Sequence, residues 1–282
     1  MKRGMMVEMN WLQSLLYGLV SGFAEFLPIS AEAHRDLLLL LMGVQENPLL
    51  DLAVHISAML ALLLSCWPQL SKLQRERRIA SVPARKRKRQ PDVNSLKDLR
   101  FLKTAVIPVL FGFGLLFWTR NVTERLWLTA LFFAVNGVLL YLPPYFPGGN
   151  KNAQKVSGLD GILVGLGAVL GVIPGISRIT GITTVGQLRR CDRSYILDIG
   201  LLLCIPALLI LSVFDVLALF TAGAALSGGL VLSVLLAALT AFLAAYMGIT
   251  FIRFLSVKAG FSGFAYYSWG AALFTFILYL TI

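Results

Sequence analysis

Charge is what this chain has least of. Only 14% of its 282 residues are charged, against 57% hydrophobic, and the mean hydropathy is +0.78. A water-soluble domain of this size needs far more polar surface to stay dispersed, so lipid is the expected solvent. Cysteine is scarce as well. Cys66, Cys191 and Cys204 share no short metal-type spacing, and Cys66 and Cys204 fall in apolar runs, where a thiol reads as a small buried hydrophobe. The alternation of apolar and polar residues that marks a spanning strand is also missing. The apolar runs are long and continuous, and a bilayer offers stray backbone groups no hydrogen bonds, so the runs read as helices and the fold class as all-α. No small-residue cleavage site follows the basic start Met1-Lys2-Arg3, and a cleavable signal peptide is not expected.

What charge there is gathers in one place. About half of the 25 lysines and arginines lie between Lys72 and Lys103, including the block from Arg85 to Arg89. A basic stretch between apolar spans, here residues 70–103, marks the cytoplasmic side and suits anionic lipid head groups. The formal net charge of +11 would also suit nucleic acid, but no aromatic stacking pattern accompanies the basic block. The expected partner is therefore the bilayer, with no nucleic acid.

Along the chain, Trp11 to Ile29 is apolar but interrupted by Gly18, Gly22, Glu25 and Pro28, which suits a helix that enters the membrane and turns back. His34 to Gly43 reads as a short helix. Spans are expected over Leu49 to Trp67, Phe101 to Thr119 (with a Pro108 kink) and Leu126 to Leu142. Pro143, Pro144, Pro147, Gly148, Gly149 and Asn150 make a linker. Gly158 to Ile173 is again apolar and glycine-rich and runs into a second break at Pro174-Gly175. Ser194 to Val213, Ala218 to Tyr246 and Phe261 to Ile282 complete the membrane portion, the middle one long enough for more than one element.

The linker divides the chain into two comparable halves, 1–150 and 151–282, that open alike. Glu25-Phe26-Leu27-Pro28-Ile29-Ser30 in the first half is answered by Val172-Ile173-Pro174-Gly175-Ile176-Ser177 in the second. Each break precedes a span with an acid near its start, Asp51 or Asp198. Interrupted segments at matching places point to an internal repeat with its site at the shared interface.

The residues able to do chemistry sit at these breaks. A carboxylate in an apolar run must face a wet cavity or a partner, which singles out Glu25, although capping a broken helix would also use it. His34, nine residues on, could return to the same mouth or anchor at the membrane surface. In the second break Ser177 adds a hydroxyl and Arg178 a planar fork suited to phosphate oxygens, next to N–H groups freed by Pro174-Gly175. Arg178 needs an anionic partner: Glu25, Asp198 or a ligand phosphate. Asp51, His55, Asp198 and Asp215 could help bind a divalent ion but show no ligand-loop spacing, and read first as helix-end caps or intramembrane pairs. Cationic groups, an acid and an imidazole between hydrocarbon walls describe a pocket for a phosphorylated lipid.

At these motifs the chain resembles the undecaprenyl-diphosphate phosphatase family of the bacitracin-resistance type. Gly22-Phe23-Ala24-Glu25-Phe26-Leu27-Pro28-Ile29-Ser30 with His34, Pro174-Gly175-Ile176-Ser177-Arg178 with Asp192-Arg193, and Ala53 to Ala61 carry the likeness. The resemblance implies two inverted repeats with re-entrant helix pairs and about six full spans, in a bacterial plasma membrane. It also implies removal of the terminal phosphate of a C55 isoprenyl diphosphate at the outer face, with a divalent cation, Mg²⁺ or Ca²⁺. Carried over, Glu25, His34, Ser177 and Arg178 are the catalytic positions. Ser30, Gly175, Arg178 and Thr183 are the substrate-binding ones, and Glu25 supports the metal. A homodimer stands open beside a monomer. The chain departs from the family pattern at Ser21, commonly Glu or Gln, at Ala31, commonly Ser, at Glu32, often Thr, at His55, commonly Gln, and around Ile182, where Thr183 stands one place late. The alternative that these departures favour is a non-enzymatic relative that binds or moves polyprenyl phosphate.

Overall fold

The computed structural model describes residues 9–45, 47–112, 125–222, 228–258 and 260–282. Among these lie ten α-helices: α1 (Trp11–Glu25), α2 (Ala31–Met42), α3 (Pro48–Ser81), α4 (Val93–Phe111), α5 (Leu126–Tyr141), α6 (Gly158–Val169), α7 (Arg178–Leu188), α8 (Arg193–Ala222), α9 (Gly228–Lys258) and α10 (Gly263–Thr281). Five of them, α3, α5, α8, α9 and α10, are long and apolar enough to cross a membrane. This is a multi-pass membrane protein. The span expected over Phe101 to Thr119 starts in α4, and residues 113–119 lie outside the described residues. So do Met1, Lys2 and Arg3. The stretch expected from Ala218 to Tyr246 is divided between the end of α8 and the start of α9.

The helix ends follow local chemistry. Asn10 and Gln13 form a capping box on α1, Ser157 and Asp160 form another on α6, and Asn47 caps α3 with Pro48 at its first position. Gly43 closes α2 in the left-handed conformation. The basic stretch 70–103 is helical at both ends, because α3 runs on to Ser81 and α4 begins at Val93. Lys72, Gln74, Arg75 and Arg77 are good helix formers, so nothing stops α3 where its apolar run stops.

Two tight helix pairs position the breaks. A Cβ at Gly18 or Gly22 of α1 would collide with the α9 backbone at Ala237 or Ala241. One at Gly161 or Gly165 of α6 would collide with α4, at Thr104 and at the Ala105 carbonyl. Both faces are Gly-x-x-x-Gly. In lipid, where tails are as apolar as side chains, close backbone approach is what favours such a pair. The other neighbours repeat the theme: α3 packs on α8, α5 on α10, α3 on α9 and α4 on α8. Exchanging the first five helices with the last five leaves each of these pairings in place.

Candidate functional site

The two breaks meet. α1 stops at Glu25, the chain turns through Phe26 to Ile29, and Ser30 opens α2 at φ +65°, a left-handed conformation unusual for a residue with a side chain. α6 passes through a 3-10 turn, Leu170–Val172, to Pro174 and Gly175 (φ +100°), and Ser177 opens α7. Neither serine caps its own helix. Each reaches across to the other break instead. Ser30 Oγ accepts from the Gly175 N–H at 3.0 Å, and Ser177 Oγ donates to the Leu27 carbonyl at 2.8 Å. Asn136 of α5 ties the crossing down. Its Nδ2 donates to the Pro28 carbonyl at 3.0 Å and to Ser268 Oγ at 2.9 Å, and its Oδ1 accepts from the Ser177 N–H at 2.9 Å. The first turns of α2 and α7 are thus left without side-chain caps, and uncapped N–H groups at a helix start favour an anion.

Into this crossing the two halves deliver opposite charges. Arg178 Nη1 donates to Glu25 Oε1 at 2.9 Å, and Arg35 Nη1 stands 3.9 Å from Glu25 Oε2. The three side chains are 10%, 9% and 5% exposed for Arg178, Arg35 and Glu25, so the pairing is desolvated. Glu25 ends α1 and Arg178 begins α7, so each charge sits at the helix terminus whose dipole disfavours it. Each is relieved by the other, or by an arriving ligand. Asp198, the other acid expected near Arg178, lies elsewhere and accepts from Arg253 Nε at 3.2 Å.

A cavity of about 50 Å³ opens beside the pair, with Glu25, Ser30, Glu32, Arg35, Ser177 and Arg178 on its polar side. Val109, Val169, Ala207, Ile210 and Leu211 form its apolar side. That is room for a few waters, and a larger anionic head must displace the side chains that close it.

Of the residues expected to act, the structure brings together Glu25, Ser30, Ser177 and Arg178. Gly175 is at the crossing, but its N–H is taken by Ser30. Two others do not reach the cavity. Thr183 is buried within α7, where its hydroxyl donates to the Ile179 carbonyl at 2.7 Å. His34 turns toward α10: Nδ1 donates to the Ser30 carbonyl at 2.8 Å, and Nε2 faces Tyr267 Oη at 2.7 Å with the two rings stacked. The i to i+4 spacing of Ser30 and His34 accounts for this. Once α2 starts at Ala31, the imidazole lies over the preceding turn rather than over the mouth.

Sequence reasoning missed Arg35 and Asn136. A lone Asn in an apolar span was a usable signal, because an amide in lipid needs partners. Arg35 was hidden by its neighbour His34. Around it, His55 Nε2 accepts from Arg35 Nη1 at 2.9 Å, His55 Nδ1 donates to Asp215 Oδ2 at 2.6 Å, and Tyr17 donates to Asp51. The pairing expected for Asp51, His55 and Asp215 is present. Ser21 is fully buried one turn before Glu25, and its hydroxyl finds no hydrogen-bond partner among the described residues.

A hard divalent cation wants about six oxygens. Among the described residues no three His, Cys, Asp or Glu side chains group to hold one. The cavity lining offers two carboxylates, Glu25 and Glu32. That donor set suits an ion such as Mg²⁺ whose remaining positions are filled by water and by a phosphorylated substrate.

A family model described as bacitracin resistance protein BacA matches residues 14–274. The undecaprenyl-diphosphatase of Carboxydothermus hydrogenoformans is 30% identical over 93% of this chain and 94% of its own length. That of Micrococcus luteus is 31% identical over 71% and 72%, and that of Erythrobacter litoralis 29% identical over 95% and 100%.

Proposed function

The chain belongs to the bacitracin resistance protein BacA family, and from that premise we propose that it is a membrane diphosphatase removing the terminal phosphate of undecaprenyl diphosphate. The observation that carries the reading is the buried Arg178–Glu25 pair, delivered by opposite halves to one cavity with an apolar wall. A diphosphate head is a better anion for Arg178 than one carboxylate, and the uncapped starts of α2 and α7 add N–H donors beside it. As Arg178 turns to phosphate, the Glu25 carboxylate is released and takes the proton of the attacking hydroxyl, either a water or Ser177. The bond between the terminal phosphorus and the bridging oxygen breaks, leaving the lipid monophosphate and, after hydrolysis, inorganic phosphate. Most of the rate comes from positioning and charge neutralisation, as is general for phosphoryl transfer. A divalent cation, Mg²⁺ or Ca²⁺, would be held by Glu32 and, until it takes the proton, by Glu25, and would neutralise phosphate oxygens. The near-exchangeable packing supports reading 1–150 and 151–282 as inverted repeats. The basic segment supports a cytoplasmic side opposite an outer-face mouth, in a bacterial plasma membrane.

Phosphate release from C55 diphosphate by the purified protein, with and without chelator, is the test. Arg178→Ala is expected to lower kcat about 10²- to 10³-fold, and a full rate in that variant would remove the mechanism. A second reading, binding or movement of polyprenyl phosphate without turnover, is favoured by His34 lying off the cavity and by the engaged hydroxyls of Ser30 and Ser177. Retained lipid binding with no phosphate release would select it.

A further inference from the structure

We propose that Arg35 is a second phosphate-binding guanidinium of this cavity, held in position by the His55–Asp215 pair, so that one arginine from each half grips the anionic head. The inference rests on the diphosphate reading above and adds a residue to it.

Arg35 lies on the second turn of α2, is 7% exposed and lines the same cavity as Arg178. Its guanidinium is within electrostatic reach of Glu25, Glu32 and Asp51. The charged groups of the lining are Glu25, Glu32, Arg35 and Arg178. Arg178 alone would set one cation of the lining beside its two carboxylates. Arg35 brings the lining to balance.

The support behind Arg35 fixes both a tautomer and a direction. A guanidinium can only donate, so His55 Nε2 is the acceptor of the 2.9 Å contact. The ring proton therefore sits on Nδ1 and is donated to Asp215 Oδ2 at 2.6 Å. His55 Nε2 thus presents its lone pair to Arg35, and Asp215 sets the ring. The contacts to His55 and to Glu25 both run through Nη1. Nη1 thus stands between His55 and Glu25, and a phosphate that displaces Glu25 from Arg178 comes within reach of Arg35 in the same movement. His55 and Asp215 are positioning residues, and Arg35 is the binding one.

The test uses the full chain in detergent or nanodiscs, with C55 diphosphate as substrate and inorganic pyrophosphate as a head-only competitor. Arg35→Leu is expected to raise KM and the pyrophosphate inhibition constant together, by roughly 10- to 100-fold, with a smaller change in kcat. Arg35→Lys keeps the counter-charge for Glu25 and so guards against a simple folding failure. It should fold as the parent does yet raise both constants about tenfold, because an ammonium lacks the fork. Asp215→Asn should shift the same two constants severalfold in the same direction. Parental KM and inhibition constants in folded Arg35→Lys would overturn the proposal. Turnover by the parent with no dependence on Arg35 sinks the inference and leaves the diphosphatase reading standing. Pyrophosphate binding that depends on Arg35, in a parent that does not turn over, does the reverse.

Discussion

Aligned on their opening serines, α2 and α7 hold the same place in the two halves and carry opposite chemistry. α2 begins Ala31-Glu32-Ala33-His34-Arg35-Asp36, and α7 begins Arg178-Ile179-Thr180-Gly181-Ile182-Thr183. Five residues in, Arg35 of α2 joins a buried ionic chain through His55 to Asp215, whereas Ile182 of α7 is fully buried among apolar neighbours. The longer helices around them keep their pairings on exchange, but α2 and α7 themselves do not: α7 lies along α8, whereas α2 makes no comparable contact with α3, and the charges differ too. The lesson is that a near-symmetric frame here holds an asymmetric site. One half brings the carboxylates and a guanidinium set deep in its helix, and the other brings a guanidinium at its helix start. Uncapped serines stitch the two breaks together.

The sharpest way to break the comparison is through the frame. If both Gly-x-x-x-Gly faces are equivalent, Gly22→Leu and Gly165→Leu should each prevent recovery of folded protein, since the added side chain meets backbone that cannot move aside. Size-exclusion profiles and thermal melts check this. A well-folded variant in one half alone would show that the halves are not packed alike.

Next in size is the ionic crossing. Glu25→Gln takes the carboxylate partner from the buried Arg178 guanidinium and is expected to cost about 3–5 kcal/mol. Added pyrophosphate should then raise the melting temperature of Glu25→Gln more than that of the parent, because the anion takes the place of the lost carboxylate. Equal shifts in the two proteins would mean that Glu25 does not occupy the anion's position.

The stitching serines should differ from each other. Ser30→Ala orphans the buried Gly175 N–H and is expected to cost about 1–3 kcal/mol. Ser177→Ala orphans only a carbonyl oxygen, which tolerates the loss better, so it should cost less stability. Denaturant unfolding gives the order, and the reverse order would contradict the hydrogen-bond assignment. His34 sharpens the comparison from the other side. With both ring nitrogens engaged away from the cavity, His34→Gln should lower kcat by less than about tenfold, where loss of a general acid or base costs roughly 10²- to 10⁴-fold. A fall in the upper range without a change in melting would return His34 to the chemistry.

The smallest effect is expected outside the membrane. The Asp92 carboxylate caps α4, and hydrogen bonds from Lys72 and then Ser95 hold it down to about 2. A carboxylate depressed on folding contributes stability above its unfolded value of about 4 and loses it as pH falls toward 2. Asp92→Asn should remove that acid-limb contribution and leave the cavity untouched, as followed by circular dichroism between pH 5 and pH 2.

Much of this was legible from residues alone. Continuous apolar runs without alternation force helices in lipid, and proline with glycine forces breaks, so the two interrupted segments are legible directly, and Glu25 is legible as one of three candidate partners of Arg178. His34 and Thr183 belong to the motifs but lie off the cavity, because motif spacing ignores where a side chain points once its helix has started. Arg35 has no such motif to mark it: its hydrogen-bond partner, His55, is on α3, and the Asp215 carboxylate that sets that ring is on α8, remote along the chain.

The solvent, the helices and the places where they break follow from local hydropathy and backbone chemistry. Tertiary structure alone decided which charges share a cavity and which way the serines and histidine face. Those choices depend on two glycine-lined helix contacts that bring the halves within hydrogen-bond reach, and a contact between distant segments has no local signature.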